Sequence, residues 1–140
     1  MTDRMQGRNA AYVMEALLSA AGPMGAYDII AAIRPQVELA PPTVYRALKQ
    51  LVSAGKAHRI ESLNAFVACR CGHDAQPAYR QGEAIGFIIC DRCGSVDEFI
   101  DPTIGEGVAA ALVLRGFSAS ATTLEVRGVC ANCSDKAAAR

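Results

Sequence analysis

Histidine is scarce in this chain: its 140 residues include only two, His58 and His73. A metal site built from several imidazoles therefore cannot be assembled. Net charge is also missing, with 14 Lys and Arg balanced by 14 Asp and Glu. The balance argues against no class of partner, but by itself says little for nucleic acid. No apolar run reaches the roughly 20 residues that a membrane-crossing helix needs. Nothing at the N-terminus resembles a signal peptide, so the six cysteines read as thiols of a reducing cytoplasm rather than a secreted disulfide framework. The His-x-Glu that precedes Pro-Cys-x-x-Cys in zinc nucleobase deaminases does not occur, and no enzymatic activity is expected. Internal repeats and low-complexity segments are absent as well.

The strongest pattern present is a pair of cysteine pairs, Cys90-Asp91-Arg92-Cys93 and Cys130-Ala131-Asn132-Cys133. Two residues between thiols let one tight turn aim both sulfurs at a single ion, so each Cys-x-x-Cys is half of a tetrahedral site. Two halves make the closed four-cysteine arrangement typical of structural zinc. The intervening residues 94 to 129 are too many for a simple zinc ribbon and have room for a small α/β unit. Two disulfides or a redox Cys-x-x-Cys are the alternatives, but a redox motif would leave the second pair unexplained. A site closed by four thiolates also lacks the open position that catalytic zinc keeps.

Charge is distributed unevenly. Residues 1 to 60 carry seven Lys/Arg against four Asp/Glu, and residues 61 to 140 seven against ten, so the halves stand at +3 and −3. This mild asymmetry suggests a nucleic-acid-facing module joined to an acidic, metal-holding one. The first half reads as three short helices followed by a hairpin. Residues 8 to 20 place Tyr12 or Val13, Ala16, Leu17 and Ala20 on one helical stripe, and Gly22-Pro23 ends it. A second helix runs through AYDIIAAIRP, with Tyr27, Ile30 and Ala31 on one face, Ile33 and Arg34 near its end, and Pro35 as its stop. In the third, Pro41 and Pro42 suit the first turn and Gly55 the C-terminal stop. Val44, Leu48, Leu51 and Val52 fall on its core face, which turns Thr43, Tyr45, Arg46, Lys49 and Gln50 outward. Arg can contact guanine in bidentate fashion, and Thr, Tyr and Lys reach phosphates or thymine methyls. An ordinary solvated helix face is the competing reading. The strand-like runs AHRIE and AFVAC follow around Ser62-Leu63-Asn64, and this order predicts a winged helix-turn-helix.

Residues 70 to 84 lack periodicity and read as a hinge or linker. Beyond them, GFIIC and SVDEFI form strands flanking the first cysteine pair. Asp101 caps a helix that begins at Pro102, with Ile104, Val108, Leu112 and Leu114 apolar and Gly116 as its stop. TTLEVRGVC is the strand that returns Cys130 beside the first pair, and the tail from Ser134 is expected to be disordered. The fold class is thus α+β.

AYDIIAAIR, PPTVYRAL, SAGKAH, IESLNAFVAC, FIICDRCGSVDEF and GVCANC, in that order, resemble the ferric uptake regulator superfamily. The Pro-Pro-Thr-Val-Tyr-Arg phrase, the Glu-Ser-x-Asn wing and Ile-Cys-Asp-Arg-Cys-Gly are most similar to its zinc uptake regulator branch. The resemblance covers about residues 8 to 133. It implies a winged-helix DNA-binding domain over residues 1 to 69, the linker at 70 to 84, and an α/β dimerisation and metal-binding domain over 85 to 140. It further implies a homodimer on double-stranded operator DNA, repressing zinc uptake and homeostasis genes when loaded with metal. Tyr45 and Arg46 would read bases, and Thr43 and Lys49 would contact phosphate or groove.

Each monomer would hold one structural zinc at Cys90, Cys93, Cys130 and Cys133 and one regulatory zinc at His58, Cys69, Glu83 and Glu98. A thiolate ligand favours zinc over iron or manganese. Glu83 stands where the family usually has a histidine, and the stretch from Cys69 to Cys90 is longer than in the branch. Cys71 and His73 within that stretch are alternates for Glu83. The N-terminal helix that commonly precedes the winged helix is missing or very short. An iron- or redox-responsive regulator of the same superfamily remains an alternative, as does a structural zinc-binding interaction protein without DNA affinity.

Overall fold

A computed structural model describes residues 2–70, 84–120 and 122–138. The chain divides into two compact units, Met1–Ala78 and Tyr79–Arg140. The first unit contains helices α1 (Thr2–Ser19), α2 (Ala26–Ile33) and α3 (Pro41–Ser53), then strands β1 (Ala57–Ile60) and β2 (Ala65–Ala68). Helix α1 starts at Thr2, six residues before the predicted stripe (Arg8). Arg4, Met5 and Gly7 in this added stretch are exposed, so hydrophobic periodicity could not reveal it.

A single core holds this unit together. Val13 and Leu17 of α1 pack with Ile29 and Ile33 of α2, Val44, Leu48 and Leu51 of α3, and Phe66 of the hairpin. In α2 the core takes Ile33 and packs Ile30 at its edge, as expected, but not Tyr27. Ala26, Ile29 and Ile33 are buried, and Tyr27 is 70% exposed. Asp28 explains the setting: its Oδ2 accepts a hydrogen bond from Gly25 N at 3.0 Å. That cap fixes Asp28 at the outer start of the helix and Tyr27 beside it. Val52 is likewise turned toward solvent, with Ala47 taking the core position beside Leu48. Gly55, at φ 72°, closes α3: Gly55 N donates to Val52 O (3.0 Å) and Lys56 N to Leu51 O (2.9 Å). That pair of bonds is a Schellman turn, and a residue with a Cβ would be strained there.

Strands β1 and β2 pair antiparallel from Ala57↔Ala68 to Ile60↔Ala65. Their connection is a short 3₁₀ turn over Glu61–Leu63 closed by Asn64 in the left-handed region. Backbone bonds between Met24 and Phe66, at 2.8 and 3.0 Å, attach the hairpin to the segment between α1 and α2. The result is the winged helix-turn-helix arrangement.

The second unit contains β3 (Ala84–Cys90), β4 (Val96–Ile100), α4 (Pro102–Val113), β5 (Thr122–Gly128) and α5 (Ala131–Ala138). Its sheet has the order β4-β3-β5, with β4 antiparallel and β5 parallel to the central strand. Burial on both faces makes β3 nearly continuously apolar (AIGFIIC). Asp101 caps α4, its Oδ1 accepting from Thr103 N at 2.8 Å. Leu114, expected on the apolar face of α4, lies past the helix end and is 87% exposed. The tail from Ser134 is not disordered throughout, since α5 carries it in helix to Ala138.

Gly86 faces Phe99 across the β3–β4 pair, and a Cβ on Gly86 would overlap the Phe99 ring. Gly86→Ala is expected to destabilise this unit by about 1–3 kcal/mol through overpacking, which urea unfolding would measure.

Candidate metal centre and nucleic-acid interface

Two backbone turns build the metal centre. At the end of β3, Gly94 N donates to Cys90 O (2.9 Å) and Cys90 N to Ser95 O (2.9 Å), folding Cys93 back beside Cys90. Gly94 makes the reversal at φ 73°, where a glycine avoids the Cβ clash. After β5, Cys133 N and Ser134 N both donate to Cys130 O, at 3.1 and 2.9 Å, as α5 begins. The parallel register sets Cys90 against Gly128, so the second turn emerges beside the first.

All four sulfurs lie within 4.8 Å of one another. Sulfurs about 2.3 Å from a tetrahedral zinc stand about 3.8 Å apart, and Cys93 Sγ lies 3.8 Å from Cys130 Sγ. A disulfide requires about 2.05 Å, and all four cysteines are free thiols. The residues present therefore fit zinc and do not form the disulfides considered from sequence.

The thiols titrate unequally. Backbone hydrogen bonds, first from Cys130 and then from Cys93, hold the Cys90 thiol down to about 6. Cys93 is also lowered, chiefly by the Ser95 side chain, whose Oγ is 3.1 Å from its sulfur. Cys133 is pushed up to about 12, above all by its side-chain hydrogen bond with Cys130. Crowded thiols stabilise one another by sharing protons; a divalent ion held by the four sulfurs would replace those protons and favour the thiolate form of each.

His58 and Cys69 also come together. His58, opposite Val67 in the hairpin, is only 4% exposed, the one buried polar or charged residue among the described residues. Cys69 N donates to Lys56 O at 2.9 Å, which extends the ladder by one bond. Alternation along the strand turns Cys69 to the same side as Val67, and the His58 and Cys69 ligand atoms lie within 4.8 Å of each other. Glu98 is half-buried on β4, opposite Phe87. Glu83, Cys71 and His73 lie outside the described residues, as does most of the predicted linker.

Helix α3 presents Tyr45, Arg46, Lys49 and Gln50 to solvent, with Thr43 half-buried. Its N-cap, Ala40, makes no side-chain bond, and prolines occupy the first turn. Sequence reading missed that Gln6 and Asn9 of α1 line one small notch with Thr43, Arg46 and Gln50. Their i, i+3 spacing was the available signal. It also missed Ser95 beside Cys93 and Arg127 beside Asp91.

A helix-turn-helix unit with a hairpin wing, followed by an α/β unit with a four-thiol metal centre, defines a winged-helix metalloprotein. No family model matches the chain. The zinc uptake regulation protein of Escherichia coli (strain K12) is 34% identical over 122 residues, covering 85% of this chain and 67% of that protein. Crystalline holo XcZur is 38% identical with a TM-score of 0.77, covering 91% of this chain and 84% of that one. A zinc uptake regulator complexed with zinc and DNA is 31% identical with a TM-score of 0.79, covering 93% and 83%. The chain belongs to the ferric uptake regulator superfamily, in its zinc uptake regulator branch.

Cys93→Ser is expected to lose the zinc of this centre and unfold the second unit, since structural zinc contributes roughly 10–16 kcal/mol in small domains at pH 7. Metal content by mass spectrometry and circular dichroism would check it; full metal content with native structure would remove the four-cysteine assignment.

Proposed function

We propose that the protein is a zinc-responsive transcriptional repressor that binds double-stranded operator DNA as a metal-loaded homodimer and controls zinc uptake and homeostasis genes. It works in the cytoplasm and performs no catalysis; no helix among the described residues is long and apolar enough to cross a membrane. Residues 1 to 69 bind DNA, 85 to 140 dimerise and hold metal, and 70 to 84 link them. The similar zinc uptake regulator solved in complex with zinc and DNA supports this reading.

On DNA, Tyr45 and Arg46 read base edges, while Thr43 and Lys49 contact phosphate or groove. The uncapped N–H groups at the start of α3 suit a phosphate, because the helix dipole adds positive potential there. Each monomer holds a structural zinc at Cys90, Cys93, Cys130 and Cys133 and a regulatory zinc at His58, Cys69 and Glu98, completed by Glu83 or by Cys71 or His73. The observation that carries zinc as the signal is the buried His58 beside Cys69. An imidazole with a thiolate suits zinc, whereas iron and manganese sensing is better served by nitrogen and oxygen ligands alone. The ion acts by population shift: it binds the DNA-competent arrangement of the domains more tightly than the others and so raises its share.

The test is zinc content per monomer before and after mild chelation, with a DNA titration on each sample. The expected result is two zincs falling to one, with DNA binding lost and restored by zinc but not by iron or manganese. A single zinc that never leaves, with DNA binding indifferent to metal, would overturn the sensor. Separately, Arg46→Ala is expected to cost about 1–3 kcal/mol of discrimination at one purine position, measured by competition between operator variants. Unchanged affinity and selectivity would remove α3 as the reader.

A further inference from the structure

The two residues between Cys90 and Cys93 reach across to the other half of the metal centre. Arg127 Nε and Nη2 donate to Asp91 Oδ1 at 2.9 and 2.7 Å. Asp91 N donates to Gly128 O at 2.8 Å. Arg92 Nη1 donates to Cys133 O at 3.1 Å, on the second cysteine pair itself. Cys130 N in turn donates to Cys90 Sγ at 3.3 Å.

We propose that Asp91, Arg92 and Arg127 form a brace that positions the two thiol pairs for zinc and sets how slowly the ion leaves. This rests on the reading of the four-cysteine centre as a structural zinc site. The Asp91 and Arg127 side chains are 44% and 51% exposed, and exposed ion pairs contribute little to overall stability. Their geometry instead fixes the one relation the centre needs, the distance between its halves. Both braces run from the first turn to the segment carrying the second, so a zinc–sulfur bond that breaks leaves its thiolate held within rebinding distance. Arg127 is balanced by Asp91, so it is the Arg92 guanidinium, on Cys133 O, that also offsets part of the charge by which four thiolates outweigh a divalent ion.

The test compares the full-length wild type, Asp91→Asn, Arg127→Gln, their double variant, Arg92→Ala and Arg127→Lys, all zinc-loaded. Zinc release to a coloured chelator is timed, and thermal unfolding is recorded for each loaded protein. Outer residues of metal sites typically affect metal affinity 10- to 100-fold. Asp91→Asn and Arg127→Gln are therefore each expected to speed release about tenfold while lowering the melting temperature by only a few degrees, roughly 4–8 °C for a small domain. The double variant should be no faster than either single one, because both break the same pair. Arg127→Lys should recover part of the loss by restoring the charge, and it decides the matter if the neutral variants fail to fold.

Arg115→Ala is the control, since it removes a bond from Arg115 Nη1 to Ala111 O at the end of α4. Release at the wild-type rate in every variant, or equal acceleration in the control, overturns the brace. A wild type without zinc at this centre overturns the structural-zinc reading itself, a result distinct from zinc that binds and leaves at an unaltered rate.

Discussion

The parallel ladder between β3 and β5 is the constraint on which the metal centre depends. Cys90 ends β3, and its ladder partner Gly128 stands two residues before Cys130. A parallel register with that offset is what lets two short turns, far apart in sequence, point four sulfurs at one place. A slip of one residue would turn the side chains of β5 to the opposite face and separate the halves. The long β4–α4 excursion supplies the return path that parallel strands require.

The first unit solves a different problem with the same economy. Its core is closed by one narrow stripe on each of three helices and by Phe66 from the hairpin. The stripe on α3, Val44, Ala47, Leu48 and Leu51, is narrow enough to leave the rest of that helix polar and exposed. Packing on one side and display on the other come from a single 3.6-residue period. The hairpin uses the same logic with a period of two, placing His58 and Cys69 on one side across a two-stranded ladder.

Much of this was legible in the residues because local chemistry and tertiary role coincide. The prolines at the start of α3, Gly55 at its end, Asp101 before Pro102 and the two Cys-x-x-Cys turns each state their geometry within a few positions. Where local signals were weak, reading failed in identifiable ways. In an eight-residue α2, two helical settings fit the hydrophobic pattern, and the Asp28 cap that decides between them is a polar contact, so Tyr27 was placed inside. The start of α1 and the course of α5 carry little hydrophobic periodicity, so their helices were shortened or missed. The α5 helix follows from the backbone turn around Cys130, which sequence spacing does not express. Partners such as Arg127 for Asp91 and Ser95 for Cys93 are side-chain contacts, and those depend on strand register more than on motif.

Seen as chain topology, the four-thiol cluster is a cross-link. An ion bridging Cys93 and Cys130 closes a loop whose ends are 37 positions apart in sequence, and that loop encloses all of β4, α4 and β5. By the loop-entropy relation used for disulfides, closing a loop of this size removes roughly 4 kcal/mol of freedom from the unfolded chain. Unlike a disulfide, a metal ion would form such a cross-link without an oxidant, and reversibly. The two strands and the helix inside the loop would thus gain or lose their stability as one block with the ion, even where they lie far from it.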